Sequence, residues 1–357
     1  MKNNFLSFAL LFLAVTSITS CSNNTTEEVD TNATLYSQVL TNVSVDVITE
    51  TYKSMNDNAT ILATAVSNLT IGDEAKLTAV KNAWMATRAP WEKSEGFLYG
   101  PVDTEGIDPS IDSWPVNVND INNILNSTNA ITSSLLENNN EARGFHTIEY
   151  FVWGLNGAKL ASQLTTREIE YLAAATQNLK SKTQQLYNGW AASQGNYANN
   201  FINAGQSSSI YTSQKVALTE LVDGIITISD EVANGKIETP LNGNNGGAKP
   251  EAEESRFSNN SKLDFANNIR SIQNIYLGDF NTIDGKGLTN VVALSNATLD
   301  ATIKAKIAEA ISAIEAIPGT FTTAISNNRS EVQNAQTKVS ELQHLLESSL
   351  KPLITNL

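Results

Sequence analysis

The sequence predicts an all-α protein, and three observations carry that prediction. Between residues 329 and 350, Val332, Ala335, Val339, Leu342 and Leu346 step by three and four, the spacing of one buried helical stripe, and His344 falls off it. In "TTREIEYLAAATQNLKSKTQQL", Thr165 and Glu168 stand at capping-box spacing ahead of a run rich in alanine and leucine. Alternating β-branched runs bounded by hairpin turns are scarce along the whole chain.

The chain opens on a segment that reads as an export signal, residues 1–20. Lys2 is its only charge, and "FLSFALLFLAV" at residues 5–15 is an apolar run too short to anchor stably across a bilayer. Small residues in "ITSC" lead into Cys21, the only cysteine, and this resembles the lipobox of bacterial lipoproteins. Cys21 is therefore expected to carry the lipid, holding the chain to a membrane in the periplasm or on the outer cell surface; the other reading of a lone cysteine is a stray thiol. No disulfide is available, so the fold must rest on its core. Residues 21–33 are polar, acidic and without period, as a tether would be.

Composition bounds the rest. With 37 acidic against 23 basic residues the net charge is −14, and the leader's only charge is positive, so the exported chain is more acidic still. Such a chain repels nucleic-acid phosphates, lacks a basic helix for anionic lipid, and concentrates cations at its surface. About 335 residues beyond the leader exceed one comfortable core and point to two domains. The expected division is residues 34–164 and 165–357, with no sequence repeat detectable between them. Two irregular stretches interrupt the helices, residues 96–119 and 239–253. The second, "TPLNGNNGGAKPEAE", is expected to be a surface loop that cannot continue a helix. The first is too long for a plain connector and is a candidate functional loop. Four of the five tryptophans lie between Trp84 and Trp153, so that half must pack an aromatic cluster.

Two groups of residues could carry chemistry. In "EARGFHTIEYFVWG", His146 and Glu149 are three apart, which on a helix puts them on one face with Cβ atoms roughly 5–6 Å apart. They either share a ligand or form a structural hydrogen bond, and both readings stay open. A zinc protease needs two imidazoles on one face, H-E-x-x-H or its inverse, and here Tyr150 follows Glu149. One histidine among carboxylates suits iron or manganese better. In "AWMATRAPWEKSEGFLYG", Trp84, Arg88, Trp91 and Glu95 step by four, three and four, so Arg88 and Glu95 would share a face with two tryptophans, as a buried ion pair or a pocket lining. Pro90 is expected to kink or restart that helix.

"GFHTIEY" fits the G-x-H-x-x-E motif of the imelysin-like family. "RAPWEKSEGFLYGP" and "IDSWP" resemble the segments preceding that motif, and "ESRFSNNSKLDFANNIRSIQNIYLG" resembles the block in the family's second half. The resemblance implies two related helical bundles, export with frequent lipidation, and association with bacterial iron uptake; the family has also been classed among metallopeptidases. Carried onto this chain, it makes His146 and Glu149 the centre of a metal site, with Glu95 and Asp112 as further acidic ligands and Gly144 allowing close packing. Arg88 and Ser94 are expected as supporting groups, and Glu254, Arg256 and Ser258 as contributors from the second half. The implied cofactor is iron, the implied partners an iron-linked ligand and a membrane uptake protein. A metallopeptidase using the same residues and a non-catalytic helical scaffold remain the alternatives.

Overall fold

The computed structural model describes residues 32–243 and 245–357; the leader, Cys21 and most of the tether lie outside them. Nine α-helices among the described residues have ten residues or more: α1 (Ala33–Asn42), α2 (Glu50–Ser67), α3 (Glu74–Glu92), α4 (Gly144–Trp153), α5 (Thr166–Trp190), α6 (Gln214–Asp230), α7 (Ser261–Leu277), α8 (Ala297–Glu315) and α9 (Arg329–Leu345). The strand content among the described residues is one hairpin of two-residue strands, β1 (Asp279–Phe280) and β2 (Ile283–Asp284), paired antiparallel. The all-α expectation therefore holds. No described helix is long and apolar enough to cross a membrane.

Local chemistry explains the clearest elements. At the start of α5 the Thr165 hydroxyl accepts from the Glu168 N–H (3.1 Å) and Glu168 accepts from the Thr165 N–H (2.8 Å), a reciprocal capping box. In α9 the whole predicted stripe, Val332 to Leu346, is buried, while His344 faces solvent. Each of its valines and leucines contributes roughly 1.5–3 kcal/mol by leaving water.

Asn32–Leu357 cluster as one compact unit around a continuous core. Within it, α2 packs on α3 and α5, and α4 packs on α3 and α5. A second group forms where α6 contacts α1, α7 and α9, and α8 contacts α7 and α9. The packing does not follow a division between residues 164 and 165: α5 belongs with the first group, and α1, at the start of the described chain, packs against α6 of the second. The groups meet where α3 crosses α7 and where the 3₁₀ turn Glu95–Phe97 wedges against α6 and α7. Gly224 of α6 permits that wedge, since a Cβ there would lie 2.2 Å from the Gly96 carbonyl oxygen.

Two expectations about breaks need correction. The helix is not restarted at Pro90; α3 runs through it and ends two residues later at Glu92. Glu95 thus leaves the helix for the following turn, and Glu92 becomes the residue four after Arg88. Thr239 and Pro240, assigned to a loop, lie in a short helix, Glu238–Asn242, which ends only at Gly243 with φ at +49°. The long stretch after residue 96 is built from short helical turns, Pro101–Thr104 and Asp108–Ile111 among them.

Candidate metal centre

The first turn of α4 explains why glycine precedes the histidine. Gly144 sits at φ +78°, and a Cβ on it would lie 2.3 Å from the Ile111 carbonyl oxygen. Only glycine lets the turn Asp108–Ile111 press against the helix, and that contact delivers the next residue, Asp112, to His146. The imidazole Nε2 lies 3.1 Å from Asp112 Oδ1. On the other side, Nδ1 is 3.0 Å from Glu149 Oε2. A carboxylate only accepts, so Nδ1 carries the proton. The second oxygen of Glu149 accepts from the Ser258 N–H (2.7 Å) and hydroxyl (2.6 Å), which pins it. The Trp114 ring meets the imidazole edge-on at 4.9 Å. His146 Nε2 is completely buried and has no aligned hydrogen bond; Asp112 and, at 3.5 Å, Glu254 lie near it but off the N–H direction.

Beneath the imidazole lies Arg88, also fully buried. Its Nη1 donates to Asp112 Oδ1, its Nη2 reaches Glu92 Oε1 (2.5 Å) and Glu254 Oε1 (2.6 Å), and its Nε faces Asp264 Oδ2 at 3.5 Å. Its flat face covers the Phe145 ring at 5.1 Å. Lys236, carried by the wide π-helical turn Glu231–Ile237 that continues α6, bridges Glu95 (3.0 Å) and Glu254 (2.9 Å). Neutral donors complete the network: Trp91 Nε1 to Asp112 Oδ2 at 2.6 Å, Asn268 to Glu92 at 2.6 Å, Asn260 to Asp264 at 2.6 Å.

Six carboxylates thus surround two permanent cations and one imidazole, and the imbalance shows in their protonation. Burial raises Glu92 to about 8 against the pull of Arg88 and Lys236. Burial and the neighbouring Glu92 push Glu95 well above the usual carboxylate range, and burial lifts Asp264 to about 6. Burial also opposes charge on Asp112 and Glu254, but Arg88 and His146, with Lys236 at Glu254, overcome it and hold both below the ordinary values. For His146, burial and Arg88 disfavour the imidazolium, yet the adjacent carboxylates Asp112, Glu149 and Glu254 outweigh them and raise it well above the ordinary histidine range. Without another cation, protons on His146, Glu92 and Glu95 offset the excess negative charge.

A cleft of about 370 Å³ opens above this cluster, lined by Glu95, Asp108, Asp112, Trp114, Lys236 and Glu254 among others. Two sets of donor atoms converge within 4.8 Å of one another, Asp112 with His146 and Glu254, and Glu92 with Glu95 and Asp112. In the first set, deprotonated Nε2 and two carboxylates supply one nitrogen and hard oxygens, a combination suited to iron or manganese. Glu149 then plays the outer carboxylate that fixes the tautomer and aims the ring.

Of the four expected ligands, the structure brings Glu95, Asp112 and His146 together, and turns both oxygens of Glu149 away onto Nδ1 and Ser258. Glu254, expected in support, joins Asp112 and His146 in the converging donor set. Arg88 lies at the centre, and Ser258 supports Glu149. Ser94 takes no part: its hydroxyl donates to the Trp91 carbonyl at 2.6 Å. Arg256 stacks over Phe257 at 5.3 Å and makes no ion pair with the cluster. Sequence reasoning missed Glu92, Asp264 and Lys236. Glu92 was signalled by its i+4 spacing from Arg88, whereas Lys236 depends on a π-helical turn with no local signature.

Comparisons with known proteins agree with this all-α fold. The family model for imelysin matches residues 48–346. The iron-regulated protein A of Synechococcus elongatus is 27% identical over 330 residues, 91% of this chain and 88% of that protein. A solved structure described as an iron-regulated protein A precursor from Parabacteroides distasonis superposes with a TM-score of 0.78 at 28% identity, covering 91% of this chain and 95% of that one. An imelysin-like protein from Psychrobacter arcticum shares the fold, with a TM-score of 0.69 at 15% identity over 90% of this chain and 96% of its own. The match to the family model over most of its length means that this chain belongs to the imelysin family.

Proposed function

We propose that this chain is an iron-related imelysin-like protein that captures an iron species for uptake, held from a membrane by lipidated Cys21. The observation that carries the reading is the buried Nε2 of His146, which has no aligned hydrogen bond, is fixed in direction by Glu149 and converges with oxygens of Asp112 and Glu254. The names of two relatives, iron-regulated proteins A, support iron as the cargo. His146 supplies one nitrogen, Asp112 and Glu254 the oxygens, and Glu95 and Glu92 further carboxylates beside them. On capture, the proton on Nε2 leaves and the cation takes its place in the charge balance. Arg88 keeps the carboxylates from repelling one another before the cation arrives.

A hydrolytic reading needs a metal held by about three protein ligands with a free position for water and a base beside it. Here one imidazole is present, the other histidine is exposed on α9, and Glu149 is committed to the ring of His146. The geometry therefore favours binding over peptide hydrolysis.

Elemental analysis of protein purified without chelators tests the proposal. The wild type should carry iron, His146→Ala none, and Glu149→Gln should stay folded while affinity drops about 10- to 100-fold, the usual loss for an outer-shell carboxylate. Metal-free wild type that also fails to take up any added iron would leave the cluster as architecture. Labelling with palmitate, lost in Cys21→Ala, tests the anchor.

A further inference from the structure

The cleft leading to the cluster carries information about the form in which its cargo arrives. Its wall presents five acidic side chains, Glu95, Asp108, Asp112, Glu231 and Glu254, against one ammonium, Lys236, and with Glu95 protonated the other four still outnumber that cation. That ammonium is already held by two of the five, at 3.0 Å from Glu95 and 2.9 Å from Glu254, so it offers no free positive charge to an incoming anion. The remaining cation of the site, Arg88, is wholly buried beneath the floor and engaged by four carboxylates. At the mouth, Glu231 is exposed and makes no ion pair with the cleft's lysine.

Size adds to sign. A cleft of about 370 Å³ holds roughly a dozen waters at ~30 Å³ each, ample for an ion with its inner hydration shell. A like-signed, low-dielectric cleft concentrates cations and rejects anions, and the effect grows with the charge on the visitor. Iron carried by carboxylate or catecholate chelators is anionic, whereas the aquated ion is cationic.

Resting on the iron-capture reading above, we propose that the cleft admits iron as the hydrated cation and excludes its anionic chelates. Glu231 and Asp108 draw the ion in, the shell waters are exchanged for Asp112, Glu254 and His146 at the floor, and any chelator is left outside.

Equilibrium dialysis with two probes separates the outcomes: Fe²⁺ under argon, and ferric citrate labelled in the citrate. The expected result is retained Fe²⁺ with no retained citrate. Glu231→Lys, at an exposed position outside the donor set, should weaken Fe²⁺ binding about three- to ten-fold at low ionic strength, with the difference closing near 1 M salt. Labelled citrate retained together with iron overturns the proposal, as does Glu231→Lys with unchanged affinity for Fe²⁺ at low salt. If the wild type retains neither probe, the iron-capture reading itself fails.

Discussion

The molecule holds two networks of charge built from the same side chains under opposite conditions. On the surface, α8 and α9 are laced by Lys306, Glu309, Lys338 and Glu341, at 2.7–3.6 Å, with side chains 27–46% exposed. Two positive charges meet two negative ones, and water serves whatever is left. At the junction of the helical groups, Arg88 and Lys236 face five acidic side chains, Glu92, Glu95, Asp112, Glu254 and Asp264, and the side chains of Arg88, Glu92, His146 and Asp264 are fully buried. There the acidic groups outnumber the cations. A balanced surface ladder adds little and asks for nothing further. An unbalanced buried cluster is costly unless protons or a bound cation complete it, so the imbalance itself points to function.

The contrast is broken most sharply at its centre. Arg88→Met leaves the carboxylates of Glu92, Asp112, Glu254 and Asp264 without their shared cation and should cost about 3–5 kcal/mol, read from chemical denaturation. A loss under about 1 kcal/mol would mean that the cluster is as well solvated as the ladder.

A smaller effect follows from protonation. Glu92 keeps its proton in the folded state up to about 8, while in the unfolded chain it ionises near 4.3. His146 is likewise raised when folded, against about 6.5 unfolded. In both cases the folded state binds more protons, so their contribution is whole below the unfolded values and fades as pH rises through the folded ones. The cation-free protein should therefore lose stability between pH 6.5 and 8, by up to about 1.4 kcal/mol per pH unit for each group. Glu92→Gln, which cannot ionise, should flatten that slope in thermal melts across the interval. A slope unchanged by Glu92→Gln would remove Glu92 from the proton balance. At the small end, Lys338→Ala should alter stability by less than about 0.5 kcal/mol at ordinary salt, measured in the same melts.

Much of this was legible in the sequence, for physical reasons that also mark where it stopped. The stripe of α9 and the capping box of α5 are local rules, so Val332 to Leu346 and Thr165 with Glu168 could be read directly. His146 and Glu149 shared a face by spacing alone. Their division of labour did not follow from spacing, because Glu149 turns to the ring only once Ser258, more than a hundred residues later, pins its other oxygen. The requirement at Gly144 is long-range too, set by the backbone of Ile111. Lys236 was out of reach, since a π-helical turn rotates it into the cluster from a segment whose composition resembles any polar helix end. Which helices pack together across residue 164 is likewise set at long range, since α5 buries its face on α2 and α4.

The central claim is that a cation completes the buried charge balance by displacing protons. Calorimetric titration of chelator-treated protein with Mn²⁺, and with Fe²⁺ under argon, tests it most directly when run at about pH 7.5 in two buffers of different ionisation enthalpy. The account predicts binding at one ion per chain, release of about one proton or more on binding, and loss of both in His146→Ala. Absence of binding by the wild type, or undiminished binding by His146→Ala, would contradict it.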